Sequence, residues 1–311
     1  MKAFWLFFFV ILLTACHTPE AEQAQSSERL SVQNGDVEIK LEHPPERAIT
    51  LNQHVTEVML ALGLEDRMIG TAYLDDNIHP DLKDAYEDIP VLAERYPSQE
   101  TILEANPDFL YAGWESAFQT GAAGSRDDLK EYGITTYLHE SSQTVQPNID
   151  DVFQDIRNIG KVFQKEEEAA ALIEEMRHDI EKITEDIPVN QDKKKVFVYD
   201  SGEDAPLTAG QNFLNTLIEL AEAENIFHMI ETGWTTVSWE KVAEKNPDDI
   251  IIIDYGDTSA EDKIQFLVDH PVMKNLDAVQ EKRFTVIPLS AASEGIRAPM
   301  TLDRLITGLY E

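Results

Sequence analysis

The chain has 311 residues and carries 25 lysines and arginines against 59 aspartates and glutamates, a formal net charge of −34 at pH 7. Such a charge repels phosphate backbones and anionic lipid surfaces, which argues against nucleic acid or lipid headgroups as partners. Hydrophobic residues make up 42% of the sequence, so the composition is that of a folded protein. The length exceeds the usual size of one hydrophobic core and predicts two domains.

An apolar segment opens the chain. Residues 3–15 are almost wholly apolar and follow the single charge of Lys2, a pattern typical of a secretory signal peptide. The segment is too short to span a bilayer, which takes roughly 20 apolar residues. Its end, LLTAC, resembles the lipobox of bacterial lipoproteins. The resemblance implies that residues 1–15 are removed and that Cys16 carries lipid; an uncleaved N-terminal anchor is the alternative.

Cys16 is the only cysteine. If its thiol carries lipid, none remains for a disulfide, a thiolate metal site or a nucleophile. Residues 16–35 are polar and lack apolar periodicity, which predicts a lipid anchor followed by a flexible tether. We therefore expect the protein on the extracytoplasmic face of the cell membrane, held there by lipid alone.

Short apolar runs alternate with helical patterns over residues 36–164. In chain order, strands are predicted at RAITL, RMIGTA, DFLYAG and ITTYLH, and helices at HVTEVMLALGL, SQETILEAN and SRDDLKEYG. This alternation predicts a parallel sheet covered by helices, an N-terminal α/β lobe. Ligand sites in such sheets lie at the carboxyl ends of the strands.

A long helical region covers residues 149–187 and ends before Pro188. We assign residues 165–187 to a helix that connects two lobes. The alternation resumes in residues 188–311, with strands at KKVFVYDSG, DDIIIIDYG and RFTVIPL and a helix through GQNFLNTLIELAEAENIF. The predicted fold is therefore α/β, with two lobes joined by one helix and a ligand cleft between them.

Five segments in this order carry a family resemblance: RAITLNQHVTEVMLALGLEDRMIGTAY, PSQETILEANPDFLYAG, GQNFLNTLIELAEAENIF, GWTTVSWEKVAEKNPDDIIII and RFTVIPL. They resemble the solute-binding proteins of ABC importers for iron-siderophores, haem and cobalamin. The resemblance covers about residues 45–310. It implies two Rossmann-like lobes joined by a single long helix, the class III periplasmic-binding-protein fold.

The resemblance also implies a function. A protein of this kind is a monomeric receptor and not an enzyme. It captures a ferric siderophore, haem or cobalamin in the cleft and delivers it to an ABC permease dimer, whose ATPase subunits are separate chains. No resident cofactor is expected, because the metal chelate or tetrapyrrole is the solute.

Two glutamates occupy the positions at which the family docks onto arginines of the permease. By motif they are Glu100 in PSQETIL and Glu240 in VSWEKV. Both precede an Asn-Pro-Asp sequence and a strand, so they hold equivalent places in a weak internal repeat. Two carboxylates far apart on a rigid frame are able to fix the register of docking.

Side chains at the predicted strand ends are candidates for contact with the solute, because aromatic rings offer flat apolar faces to a macrocycle. These candidates are Tyr73, Trp114, Glu115, Tyr199, Asp200, Trp234 and Arg297. The resemblance implies aromatic contacts near Tyr73 and Trp234. It implies for Arg297 a contact with a carboxylate or phosphate of the solute; a surface ion pair is the alternative. Trp239 is expected to pack in the interior.

The acidic character of these loops argues for a neutral or cationic solute, such as a hydroxamate complex or a corrinoid. A direct zinc- or manganese-binding lipoprotein is the alternative function, because His54, His79 and His139 lie near strand ends of the first lobe. No two histidines have the spacing of a metal site, so no metal ligands are assigned. Catalytic motifs such as HExxH and GxxxxGK[ST] do not occur.

Overall fold

The computed structural model of the protein describes Met1, residues 30–189 and residues 192–311. The lipidation site Cys16 and the predicted signal peptide after Met1 fall on residues 2–29, outside the described residues. None of the described helices combines the length and the apolar composition needed to cross a bilayer.

A β-hairpin precedes the first lobe. It consists of β1 (Leu30–Asn34) and β2 (Val37–Leu41), which pair antiparallel. The buried Asn34 amide donates to the carbonyl oxygen of Leu138 over 2.7 Å and accepts from its backbone nitrogen over 2.9 Å. The polarity of the sequence predicts a tether that extends to residue 35, but residues 30–34 form β1, so this boundary is wrong. The Asn34-Gly35 pair is a hairpin signal, and Gly35 takes a φ of 57°.

The first lobe is built on a five-stranded parallel sheet with the strand order β5-β4-β3-β6-β7. Its strands are β3 (Ala48–Leu51), β4 (Met68–Ala72), β5 (Val91–Ala93), β6 (Phe109–Ala112) and β7 (Thr135–Leu138). Its helices are α1 (Gln53–Ala61), α2 (Lys83–Tyr86), α3 (Gln99–Ala105), α4 (Arg126–Glu131) and α5 (Ile149–Phe163). All strand pairs are parallel, so every strand directs its carboxyl end to the same edge.

The helical region predicted for residues 149–187 is two helices, α5 and α6 (Glu166–Thr184). The break lies at Gln164, whose φ of 55° is left-handed. Gly160 allows the next helix to turn back closely, since a Cβ there would lie 2.6 Å from the Cβ of Ala169. Helix α6 leads from the first sheet to the second.

The second lobe is built on a four-stranded parallel sheet with the order β10-β8-β12-β13, beside an antiparallel pair of β9 and β11. Its strands are β8 (Lys194–Tyr199), β9 (Leu207–Ala209), β10 (Ala223–Asn225), β11 (Trp234–Thr236), β12 (Asp249–Asp254) and β13 (Phe284–Pro288). Its helices are α7 (Phe213–Leu220), α8 (Trp239–Lys245), α9 (Ala260–Asp269), α10 (Asp277–Gln280), α11 (Leu289–Ala292) and α12 (Ala298–Tyr310). The helix predicted through GQNFLNTLIELAEAENIF ends at Leu220, because Glu222 turns left-handed with a φ of 53° before β10. Two helix-covered parallel sheets joined through α6 confirm the predicted α/β class.

Candidate functional site

Loops from both lobes meet at the carboxyl ends of the strands. Arg95, which follows β5, donates from Nη1 to the hydroxyl of Tyr73 over 2.9 Å and to that of Tyr255 over 3.2 Å. Tyr73 follows β4 of the first sheet, whereas Tyr255 follows β12 of the second. This contact marks a cleft between the lobes at the position where open α/β sheets bind ligands.

The first-lobe wall of this cleft is aromatic. The rings of Tyr73 and Tyr96 meet edge to face with their centroids 4.6 Å apart. The guanidinium of Arg95 lies 4.9 Å from the centroid of the Tyr73 ring. The hydroxyl of Tyr96 donates to Asn52 Oδ1 over 3.1 Å, which fixes the ring in place. Such a wall offers flat apolar faces with polar groups at their edges.

Two residues of this wall have unusual backbone conformations. Asn52 follows β3 with a φ of 100°, and Tyr73 follows β4 with a φ of 60°. Residues other than glycine rarely adopt positive φ, and such strain concentrates at functional sites. Asn52 is held in place by the backbone nitrogen of Gly113, which donates to its Oδ1 over 3.2 Å. The strained positions point to this edge of the first sheet as the site.

A buried ion pair ties the two lobes together. Arg297 of the second lobe donates from Nε to Oε2 of Glu57 on α1 over 2.7 Å, and its Nη2 donates to the other carboxylate oxygen. Nη2 also donates to the carbonyl oxygen of Asn77 over 2.7 Å. Both charged side chains are buried. Arg297 is therefore an inter-lobe contact and not a free cation facing a solute, which corrects its predicted placement.

Two neighbouring aspartates lie beside this tie. Asp76 accepts a hydrogen bond from Ser290 of the second lobe over 2.6 Å. The carboxylate oxygens of Asp75 are shielded from solvent and have no hydrogen-bond partner among the described residues. The pKa of Asp75 is raised to about 6, mainly by burial and also by the negative charge of Asp76, while Arg95 acts in the opposite direction. This edge of the cleft thus holds poorly solvated negative charge.

His54 forms the floor beneath Trp114. The imidazole is 2% exposed and contacts the rings of Trp114 and His139, with centroids 4.9 and 5.3 Å away. Gly113 allows this packing, since a Cβ there would lie 2.3 Å from His54 Cε1. Neither ring nitrogen makes a hydrogen bond of normal geometry within the described part of the chain. Burial lowers the pKa of His54 well below its ordinary value, and His139 lowers it further.

This burial predicts a loss of stability in acid. As the pH falls through about 6.5, an unfolded chain protonates His54 while the folded protein resists it, so the free energy of unfolding decreases. Between pH 7.5 and 5.5 the free energy of unfolding is expected to fall less in the His54→Gln variant than in the wild type, by about 1 kcal/mol. Urea unfolding at both pH values measures the difference. The matched control is His178→Gln on the exposed surface of α6, and equal losses in both variants would refute the assignment.

The other predicted contact residues lie in different environments in the structure. Trp114 is half-buried at the cleft and Glu115 is exposed beside it. Tyr199 is 2% exposed and packs against Trp239 in the interior, with ring centroids 5.4 Å apart, so its predicted cleft position is wrong. Trp239 is buried, as expected.

The remaining two candidates belong to the second lobe. Asp200 is buried and accepts a hydrogen bond from Ser201 over 2.6 Å. Trp234 is half-buried on β11 and pairs with Ala209 of β9. Arg95 and Tyr255 were missed, although Tyr255 directly follows the strongest strand signal of the second lobe, DIIIID.

The two predicted docking glutamates occupy equivalent places. Glu100 lies in the first turn of α3 and Glu240 in the first turn of α8, and both are exposed. Each helix is capped by a serine side chain, Ser98 or Ser238, and each ends at a left-handed asparagine before a central strand. The weak sequence repeat therefore corresponds to a repeated structural unit, one per lobe.

No group of three or more histidine, cysteine, aspartate or glutamate side chains within residues 30–189 and 192–311 is arranged to hold a metal ion.

The two sheets are joined through one helix, and their strand ends face one another across an aromatic cleft. This arrangement defines a two-lobed binding protein. Residues 49–291 match the periplasmic binding protein family, and the chain belongs to that family. This confirms the recognition made from the sequence segments and the class III fold that it implied.

Known relatives agree with this assignment. The chain is 26% identical over 314 residues to a Bacillus subtilis protein named uncharacterized ABC transporter substrate-binding lipoprotein YvrC. The alignment covers 96% of this chain and 93% of the relative. It is 24% identical over 206 residues to the vitamin B12-binding protein of Vibrio parahaemolyticus, covering 66% and 70% of the two chains. The crystal structure of a periplasmic binding protein from Veillonella parvula superposes with a TM-score of 0.83 at 29% identity, covering 90% and 97%.

Proposed function

We propose that this protein is the substrate-binding lipoprotein of an ABC importer, that lipid on Cys16 holds it to the extracytoplasmic face of the membrane, and that it captures a corrinoid or a related metal chelate in the inter-lobe cleft. The observation that carries the proposal is the aromatic wall of Tyr73, Tyr96 and Trp114 at the carboxyl ends of the first sheet. The similarity to a vitamin B12-binding protein supports a corrinoid within the wider class that includes ferric siderophores and haem.

The charges around the cleft favour a solute of little net charge. Arg95 is an exposed guanidinium that acts on Asp75, whereas the charge of Arg297 is taken up by Glu57 and by Asp76, 3.7 Å away. A strongly anionic catecholate complex would find few cations there. A corrinoid is large, flat and nearly neutral, which suits apolar ring faces edged by polar groups.

Delivery is proposed to use the two exposed glutamates. Glu100 and Glu240 stand on short helices in equivalent positions of the two lobes. The frame between them is stiffened by α6 and by the buried pair of Arg297 and Glu57. Such a frame presents two carboxylates at a fixed separation to arginines of a permease dimer.

A fluorescence titration of residues 26–311 tests the solute class. We expect saturable quenching by cyanocobalamin, and we expect Tyr73→Ala to weaken binding roughly tenfold because an aromatic contact is lost. The control is Tyr132→Ala, since Tyr132 is 61% exposed and lies on the first lobe away from the cleft. Quenching by ferric hydroxamate or haem alone would move the proposal to that solute. A response only to Zn(II) or Mn(II) would replace it with the metal-binding alternative.

A further inference from the structure

Arg95 differs from the other arginine of the cleft in the partners that it holds. Arg297 donates to a carboxylate, which neutralises its charge. Arg95 donates to two phenol hydroxyls, those of Tyr73 and Tyr255, which carry no charge. Arg95 is exposed. A guanidinium whose direct contacts are neutral retains its positive charge for a further partner.

The two phenols are held in position by their surroundings. The backbone of Tyr255 is fixed by Lys263, whose Nζ donates to the Tyr255 carbonyl oxygen over 2.9 Å and to that of Ile253 over 2.7 Å. Tyr73 is held in its left-handed conformation at the end of β4 and packs against Tyr96. The guanidinium lies over the Tyr73 ring. These three groups are therefore organised before any solute arrives, which reduces the entropy lost on binding.

The chemistry of the set suits an anion. A guanidinium has five N–H donors in a planar fork, and Nη1 alone supplies both contacts to the phenols. Both phenols accept from Arg95, and because the two hydroxyls also interact with each other, one phenol O–H remains for donation to an oxyanion. Arg95 also lowers the pKa of the buried Asp75, but burial, the larger effect, and Asp76 act in the opposite direction.

We propose that Arg95, Tyr73 and Tyr255 form a subsite for one anionic group of the solute, such as the phosphodiester in the nucleotide loop of a corrinoid. The inference rests on the proposed function and deepens it. Because Tyr255 belongs to the second lobe and the other two residues to the first, an anion at this subsite contacts both walls of the cleft. Arg95 thus takes the role that the sequence had assigned to Arg297.

Two corrinoids separate this proposal from the function on which it rests. Cyanocobalamin and dicyanocobinamide are both neutral overall, but only cyanocobalamin carries the phosphodiester. We expect the wild-type chain to bind both and to prefer cyanocobalamin. Arg95→Gln is expected to weaken cyanocobalamin binding roughly tenfold to hundredfold, the usual effect of a lost hydrogen bond to a charged group, and to weaken dicyanocobinamide binding much less, so that the preference for cyanocobalamin is lost. Tyr255→Phe, which removes one hydroxyl, is expected to lose part of the preference.

The matched control is Arg157→Gln, since Arg157 is an exposed arginine on α5. It is expected to keep the wild-type preference. An Arg95→Gln chain that still prefers cyanocobalamin to the wild-type extent would overturn the subsite while leaving the receptor function standing. A wild-type chain that binds neither corrinoid would overturn both the corrinoid assignment and the subsite. Because Arg95 is exposed, circular dichroism is expected to show an unchanged fold.

Discussion

Replacing Arg297 with alanine is expected to lower the free energy of unfolding by about 3–5 kcal/mol, the usual cost of removing one partner of a buried ion pair. The change leaves the buried Glu57 carboxylate without its bidentate partner. Gln53 and the backbone nitrogen of His79 still donate to Glu57 Oε1, over 3.1 and 2.9 Å, so the loss is expected near the lower end of that range. Urea unfolding at pH 7.5 measures it.

Two further variants test whether the unpaired charge of Glu57 causes the loss of stability in Arg297→Ala. In the double variant Glu57→Met, Arg297→Met both charges disappear together, and we expect a stability close to that of the wild type, since apolar replacement of a buried pair is often neutral. Arg157→Ala removes an exposed arginine and is expected to change stability by less than about 0.5 kcal/mol. An Arg297→Ala chain as stable as the Arg157→Ala chain would contradict the structural tie between the lobes.

Removing both exposed glutamates, Glu100→Ala with Glu240→Ala, is expected to reduce uptake of the solute at least tenfold in cells that carry the cognate permease, while solute affinity stays unchanged. Each carboxylate is proposed to pair with an arginine of the permease, and loss of such pairs weakens docking. Uptake of labelled solute and fluorescence titration of the purified variant measure the two properties separately.

The chain offers a closely matched control for this pair. Glu104 and Glu244 lie on the same helices α3 and α8, four residues further along, and both are exposed. The variant Glu104→Ala, Glu244→Ala has the same net charge and is expected to transport normally. Equal losses of uptake in the two double variants would show that general surface charge, and not these two positions, governs docking.

Much of the fold could be predicted because its strands are short, apolar and bounded by turn residues. DFLYAG and DDIIIIDYG correspond to β6 and β12, which are buried on both faces. The errors have local causes. The helix break at Gln164 depends on the close approach of Gly160 to Ala169, a contact that periodicity does not register. The hairpin at residues 30–41 was missed because its first strand is short and polar.

The site was less predictable, because its residues are brought together by contacts over long sequence distances. The role of Arg297 depends on Glu57, 240 residues away. Arg95 follows a strand of only three residues, Val91–Ala93, and no sequence signal connects it with Tyr255, 160 residues further on. Tyr73 and Trp114 lie at the cleft because each follows a buried strand of the parallel sheet. Tyr199 also ends a strand, but its ring turns into the core.

Two of the contacts that join the lobes around the cleft, Arg297 with Glu57 and Arg95 with Tyr255, lie at different depths. Separating Arg297 from Glu57 costs several kcal/mol, because both are buried, whereas the exposed hydrogen bond between Arg95 and Tyr255 is worth about 1 kcal/mol or less. Thermal fluctuations therefore part the lobes at Arg95 far more often than at Arg297. The residence time of a bound solute is then governed by a few exposed polar contacts, and it is able to change during evolution without loss of the receptor's stability.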